Sequence, residues 1–192
     1  MSPEKSASPS TAILVWDTTG PLHAARCGHV GWLLDAAGSQ RRHVLPSGVA
    51  EELDRLGAAD LAGFEVVDIE EMEDLMILVD WQQRLGTASD GRDGGEAWVA
   101  ALAQVMGGVA IIDDAQARDV IKRYSEVAVH GVLWAISRGV VEGRAPGPQA
   151  YSGLCDQMLG AHERAELGSL RWPFNKGGYV RWFERNKAEL RG

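Results

Sequence analysis

Acidic side chains directly follow two of the most apolar segments of the chain. Asp17 comes after residues 13–16 (ILVW), and Asp113 and Asp114 come after residues 109–112 (VAII). Each apolar run has the length and composition of a strand that is buried on both faces. Open α/β sheets bind ligands at the carboxyl ends of such strands. We therefore expect these carboxylates to lie near one another.

Two glutamates extend this set of acids. Glu52 lies on the helix predicted after a short strand at residues 43–46, and Glu96 opens a helix after the glycine-rich loop 87–95. Several carboxylates cannot stay ionised side by side without a counter-charge. Ligation by oxygen alone favours Mg²⁺ or Mn²⁺ over Zn²⁺. The pattern thus indicates a divalent metal site suited to phosphodiester hydrolysis, as in metal-dependent nucleases.

Helix capping is the alternative explanation for the same acids. Asp114 could cap a helix that starts at Ala115, and Asp17 could cap one that starts at Pro21. Sequence spacing alone leaves both explanations open. The five histidines show no HxxxH or HxH spacing, and Cys27 and Cys155 form no CxxC pair. Neither a transition-metal site nor a disulfide is therefore indicated.

Strand and helix patterns alternate along most of the chain, which predicts an α/β fold with a mainly parallel sheet. Ser47 is placed to cap the helix that carries Glu52. In the predicted helix 70–85, an amphipathic spacing assigns five residues to the buried face. These are Met72, Leu75, Met76, Val79 and Leu85.

Composition suggests a soluble protein with three parts. The 192 residues are 45% hydrophobic and 24% charged, as in ordinary globular proteins. Residues 1–10 are predicted to be a disordered leader, and the segment 143–149 (GRAPGPQ) separates the body, 11–142, from a helical extension, 143–192. No apolar run approaches the roughly 20 residues of a bilayer helix, and no apolar core follows the N-terminal lysine. We therefore expect a cytoplasmic protein without a membrane partner.

The charge distribution is uneven. The net charge of −8 argues against a bulk electrostatic nucleic-acid binder, but clustered metal-binding acids would themselves lower it. Residues 171–192 carry six Lys/Arg against two Glu, and their basic and aromatic side chains resemble a surface that binds single-stranded RNA. Docking of this extension through Trp182 and Phe183 is the favoured alternative. The candidate RNA-binding residues are Arg171, Trp172, Lys176, Arg181 and Arg185.

Four segments follow one another along the chain, namely residues 13–22 (ILVWDTTGPL), 44–53 (VLPSGVAEEL), 93–97 (DGGEA) and 111–118 (IIDDAQAR). In this order they resemble the PIN domain family, and in particular its short prokaryotic branch of VapC-like toxins and predicted nucleic-acid-binding proteins. A later strand followed by residues 130–133 (HGVL) resembles the closing part of that branch. The resemblance covers about residues 11–142.

This resemblance implies a three-layer α/β/α sandwich and a set of acidic residues that hold Mg²⁺ or Mn²⁺. The first acid falls on Asp17, with Thr18 as the supporting hydroxyl residue. The second falls on Glu52, with Glu51 as the less favoured register, and the third falls on Glu96. The fourth falls on Asp114 or Asp113, and Asp114 is preferred because it directly precedes a helix. Asp93 could contribute from the loop.

The activity implied is that of a metal-dependent endoribonuclease, either the toxin of a toxin–antitoxin pair or a free-standing processing enzyme. RNA is then the substrate, and the expected partners are a small antitoxin protein and a second copy of the chain. The alternative function is a non-catalytic module of the same fold that binds nucleic acid or protein.

Overall fold

The computed structural model describes residues 12–86, 94–164 and 178–191. The predicted leader, 1–10, lies outside them. Within the described residues, a five-stranded sheet has the order β3-β2-β1-β4-β5, and every neighbouring pair is parallel. The strands are β1 (Ile13–Trp16), β2 (Arg42–Pro46), β3 (Glu65–Val67), β4 (Val109–Ile111) and β5 (Ala128–His130).

The chain reverses its direction of travel across the sheet at β1. The first three strands are added toward one edge, and β4 and β5 are added on the other side of β1. In open α/β sheets, the crevice at such a reversal is where ligands bind. The carboxyl ends of β1 and β4 flank this crevice, because Trp16 pairs with Ile111.

Helices cover the sheet and confirm the predicted three-layer α/β/α sandwich. In one group, α5 packs on β1, β2, β4, α3 and α4, and α6 packs on β5 and α4; in the other, α1, α2, α7, α8 and α9 pack on one another. The helices are α1 (Thr19–Arg26), α2 (Val30–Ala37), α3 (Ser47–Arg55), α4 (Met72–Leu85), α5 (Gly95–Met106), α6 (Ala115–Tyr124), α7 (Val132–Val141), α8 (Gln149–Arg164) and α9 (Gly178–Leu190).

The central strand β1 is almost fully buried, as its run of apolar residues predicts. Trp16 is inaccessible to solvent, and its indole Nε1 donates a hydrogen bond to His43 Nδ1 at 3.2 Å. The other ring nitrogen of His43 lies 3.0 Å from the Gly38 carbonyl oxygen, so a neutral imidazole satisfies both contacts. Burial lowers the pKa of His43 and favours that neutral form. This histidine is a core residue that fixes the strand carrying Asp17.

The predicted buried face of α4 is wrong at three of its five positions, whereas Leu75 and Leu85 are partly buried against the core. Met72 and Met76 are 72% and 68% exposed, and Val79 is also exposed, whereas Leu78 and Trp81 are buried. The helix packs on α5, and the indole of Trp81 donates to Gln104 on α5 at 2.9 Å. Helix α4 carries two overlapping apolar stripes. Its contact with α5 buries the stripe that contains Leu78 and Trp81 and leaves the stripe of methionines exposed.

The described residues of the extension after residue 142 pack on the rest of the protein. Arg144 donates to the backbone oxygens of Asp35 and Ala36 on α2. Helix α8 contacts α1 and α2, and α9 contacts α7. Phe183 and Tyr179 are buried in the main hydrophobic core, and Trp182 is partly buried against it, so the favoured prediction of docking is confirmed. Ser47, by contrast, does not cap α3, because its hydroxyl donates to Asp68 at 2.7 Å.

Close packing between α7 and α8 generates a stability prediction. A methyl group added at Gly139 would lie 2.7 Å from ring carbons of the buried Tyr151. Gly139→Ala should therefore lower the free energy of unfolding by about 1 to 3 kcal/mol, as expected for overpacking, in denaturant titrations of the full chain.

Gly31→Ala on α2 is the matched control, because an added methyl group there meets nothing within 4 Å. It should leave stability unchanged or raise it by up to about 1 kcal/mol. Equal stability of the two variants would contradict this packing of α8.

Candidate active site

Asp17 lies where β1 ends, against β4. Its backbone N–H donates to the Ile111 carbonyl oxygen at 3.0 Å, which continues the pairing of the two strands. The residue is only 7% exposed. The carboxylate is thus held at the crevice between β1 and β4, in an environment that disfavours its charge.

Glu52 is tied to the same place through Thr18. The buried hydroxyl of Thr18 donates to Glu52 Oε2 at 2.6 Å. Glu51, one residue earlier on α3, is exposed. The structure therefore supports Glu52 rather than Glu51 as the acid that α3 contributes, and it gives Thr18 the supporting contact expected of it.

The start of α5 approaches both carboxylates because residue 95 is glycine. A Cβ atom at Gly95 would lie 3.0 Å from Asp17 Oδ1 and 3.5 Å from Glu52 Oε2. Glu96 is the next residue, in the first turn of α5. The N-terminus of a helix carries a partial positive charge that partly offsets nearby anions. Gly95 therefore lets a third acidic residue enter the site.

Asp113 completes the cluster from β4. Its Oδ1 accepts a hydrogen bond of 2.8 Å from the backbone N–H of Val132, the first residue of α7. Its Oδ2 is buried and has no hydrogen-bond partner. Burial raises the pKa of Asp113 to about 6, against the opposing effects of the Val132 N–H and of Arg118. An unpartnered buried carboxylate oxygen is costly unless something binds it.

Asp114 has a different role, which reverses the preference drawn from sequence. Its Oδ1 accepts a 2.7 Å hydrogen bond from the backbone N–H of Ala117, so Asp114 caps α6. The residue is also exposed. The side chains of these two consecutive residues point in different directions. That of Asp114 is hydrogen-bonded to the start of α6, whereas that of Asp113 faces the crevice. Asp113 is therefore the better-placed fourth acid.

Electrostatic interactions link Asp17 to three other acids. The pKa of Asp17 is raised well above its ordinary value, mainly by burial, then by the charges of Glu96, Glu52 and Asp113, while the Thr18 N–H opposes the rise. Such effects require each of these three carboxylates to lie within reach of Asp17. The expected meeting of Asp17, Glu52 and Glu96 thus has support in the structure, with Asp113 in place of Asp114. We refer to these four residues as the acid cluster.

The acid cluster suits a hard divalent cation in its chemistry. It supplies oxygen donors only, it accumulates like charges, and it contains the unpartnered Oδ2 of Asp113. Over residues 12–86, 94–164 and 178–191, however, no three His, Cys, Asp or Glu side chains are arranged as a metal-binding group. The carboxylates are near one another without forming a finished ligand set, and the binding of Mg²⁺ or Mn²⁺ stays a prediction.

The remaining predicted site residues contribute less to this picture. Arg181 and Arg185 are exposed on α9, where they remain candidates for RNA contact. Sequence reasoning missed Gly95 as the residue that admits α5, although the double glycine before Glu96 is a signal for close backbone approach. Four predicted residues lie outside the described part of the chain, namely Asp93, Arg171, Trp172 and Lys176.

No protein-family model, curated protein or solved structure matches this chain. The resemblance to PIN domains therefore rests on the sequence segments named above alone. In the part of the chain that the structure describes, no helix is long and apolar enough to cross a bilayer.

The different roles of the adjacent aspartates generate opposite stability predictions. Because folding raises the pKa of Asp113 from 3.8 to about 6, its stabilising contribution is fully present below pH 3.8 and is lost as the pH rises through 6. Asp113→Asn should therefore raise the free energy of unfolding by about 1 to 3 kcal/mol at pH 7.5 in EDTA. This gain should vanish toward pH 4.

Asp114→Ala should instead lower the free energy of unfolding by about 1 kcal/mol at the same pH, because it removes the cap of α6. Denaturant titrations of both variants and of the wild type would measure the two effects. Destabilisation by Asp113→Asn at pH 7.5 would contradict the assignment of Asp113 to the acid cluster.

Proposed function

We propose that this protein is a metal-dependent endoribonuclease of the PIN type, which hydrolyses phosphodiester bonds in RNA at the acid cluster. The observation that carries the proposal is the coupling of Asp17 to Glu96, Glu52 and Asp113 beside the reversal point of a parallel sheet. A buried acid whose pKa is raised by neighbouring carboxylates destabilises a fold, and such groups concentrate at functional sites. Four acids at the ligand-binding edge of the sheet are difficult to explain as structural elements alone.

The chain's own residues have distinct roles in this proposal. Asp17 and Asp113 supply carboxylate oxygens from neighbouring strand ends, and Glu96 and Glu52 supply them from α5 and α3. Thr18 orients Glu52 through its hydroxyl group, and Gly95 keeps the start of α5 close. Bound Mg²⁺ or Mn²⁺ would activate water and stabilise the departing 3′-oxygen. No histidine, lysine or tyrosine is needed as a general base.

The partners follow from the same proposal. RNA is the substrate, and the protein would act in the cytoplasm as a toxin paired with a small antitoxin or as a free-standing processing enzyme. A small antitoxin-like reading frame directly upstream would favour the toxin. A homodimer remains the proposed assembly.

A non-catalytic binding module is the second candidate. The observation that favours it is that Glu52 and Asp113 are each held by a local hydrogen bond, in a cluster that is not arranged as a metal-binding group. In that case Asp17→Asn would leave partner binding intact, and titration would reveal no metal site of millimolar affinity or better.

Cleavage of RNA in the presence of Mn²⁺ tests the proposed activity. Because losing even an outer partner of a metal ligand costs about 10- to 100-fold, Asp17→Asn should lower the cleavage rate by at least about 100-fold. The matched control is Asp68→Asn. Asp68 directly follows β3 on the same edge of the sheet, but it is exposed and accepts a hydrogen bond from Ser47.

Asp68→Asn should keep the wild-type rate, since an asparagine oxygen can still accept that bond. Equal rates for the wild type and Asp17→Asn would rule out the proposed active site. So would the absence of cleavage by wild-type protein freed of any bound antitoxin.

A further inference from the structure

A stack of three side chains lies at the end of β5, beside the acid cluster. The ring of His130 lies parallel to that of Trp134, with centroids 3.9 Å apart and an interplanar angle of 4°. The guanidinium carbon of Arg138 lies 4.2 Å from the Trp134 ring centroid. At these distances His130 and Arg138 must occupy opposite faces of the indole. His130 therefore lies at one end of the stack and Arg138 at the other. Both His130 and Trp134 are partly exposed.

Two cationic residues on α6 adjoin this stack. Arg118 and Lys122 are four residues apart and thus share one face of α6, which packs on β5. Arg118 Nη1 donates to the Ile112 carbonyl oxygen at 2.8 Å and lies 3.6 Å from the Cβ position of Gly131. Lys122 is one turn further along and exposed.

His130 is uncharged at neutral pH. Burial and the charges of Arg138, Lys122 and Arg118 lower its pKa to about 4. The charges that act on the imidazole ring are thus those of Arg118, Lys122 and Arg138. A neutral aromatic ring with cations beside it matches what single-stranded nucleic acids bind, since bases stack on rings and phosphates pair with Lys and Arg.

This surface is continuous with the acid cluster. The Cβ position of Gly131, the residue after His130, lies 2.8 Å from Asp113 Oδ1, and the charge of Arg118 reaches the Asp113 carboxylate. In a chain of net charge −8, local cations next to the acids provide a place where a phosphate backbone can approach them.

We propose that Arg118, Lys122, His130 and Trp134, together called the β5 surface, bind a single strand of nucleic acid next to the acid cluster. His130 stacks on an unpaired base, and Arg118 and Lys122 contact the phosphates that flank it. This inference rests on the proposed nuclease function, and it specifies where on the protein the substrate of that nuclease binds. A single strand is specified because only an unpaired base can stack on His130.

Binding measured without cleavage tests this surface. The probe is a fluorescein-labelled single strand of about 12 nucleotides, within the usual site sizes of such proteins. Its anisotropy is followed on titration with the full chain in EDTA over a series of salt concentrations. RNA and DNA strands of the same sequence form separate arms, which show whether the 2′-hydroxyl contributes.

Lys122→Ala should weaken binding and reduce the slope of log Kd against log salt by about 0.7, the value for one phosphate contact on a single strand. Arg123→Ala is the matched control, because it removes the same charge from the next residue of α6, on the face that carries Asp119. It should leave the affinity and the slope unchanged. Equal effects of the two substitutions would overturn the proposal.

His130→Ala should weaken binding by about fivefold or more, as expected from the loss of one stacked base. His130→Phe keeps an aromatic ring and should retain wild-type affinity, which separates stacking from any effect on folding. No binding by the wild type, or wild-type affinity in His130→Ala, would overturn the proposal. Because no metal or cleavage is involved, these outcomes are independent of whether the protein proves to be a nuclease.

Discussion

Repulsion among carboxylates at the crevice between β1 and β4 is the constraint on which this site depends. Parallel pairing of Trp16 with Ile111 brings the ends of the two strands to one edge, and with them Asp17 and Asp113. Burial raises the pKa of each, so ionisation at neutral pH costs folding free energy. Natural proteins retain such costs where activity requires them. A bound divalent cation would offset the cost and explain why the acids persist together.

The surrounding structure holds these acids close together in spite of their repulsion. The Thr18 hydroxyl holds Glu52, the first N–H of α7 holds Asp113, and Gly95 admits the start of α5. Behind these contacts, the indole of Trp16 donates a hydrogen bond to His43 within the core. Helices α8 and α9 add to the core from the far end of the chain. The site is thus preorganised by elements that have no chemical role themselves.

Sequence was sufficient for the features that depend on local pattern. Strands β1 and β4 were predictable because runs buried on both faces are continuously apolar, and the strand-end position of Asp17 followed from them. The order of the strands was not predictable in the same way, because which strands pair depends on contacts between distant segments. Similarly, Ser47 resembles a helix cap in sequence, yet its hydroxyl bonds to Asp68, which is 21 residues away.

The incorrect predictions from the sequence share a physical origin. In each case neighbouring residues were equally suitable by local pattern, and only tertiary contacts decide between them. On α4, the stripe of Met72, Met76 and Val79 competes with that of Leu78 and Trp81, and packing on α5 selects the second. At the end of β4, the start of α6 engages Asp114 and leaves Asp113 for the crevice. A tertiary contact also favours the preferred Glu52 over Glu51, because the Thr18 hydroxyl donates to Glu52.

Calorimetric titration of the full chain with Mn²⁺ at pH 6, in two buffers of different ionisation enthalpy, tests the central claim most directly. Cation binding to carboxylates whose pKa values are raised must displace protons. The account predicts one saturable site, with a buffer-dependent heat that shows proton release, and loss of both in Asp17→Asn. The absence of binding at millimolar Mn²⁺, or identical binding by wild type and Asp17→Asn, would contradict it.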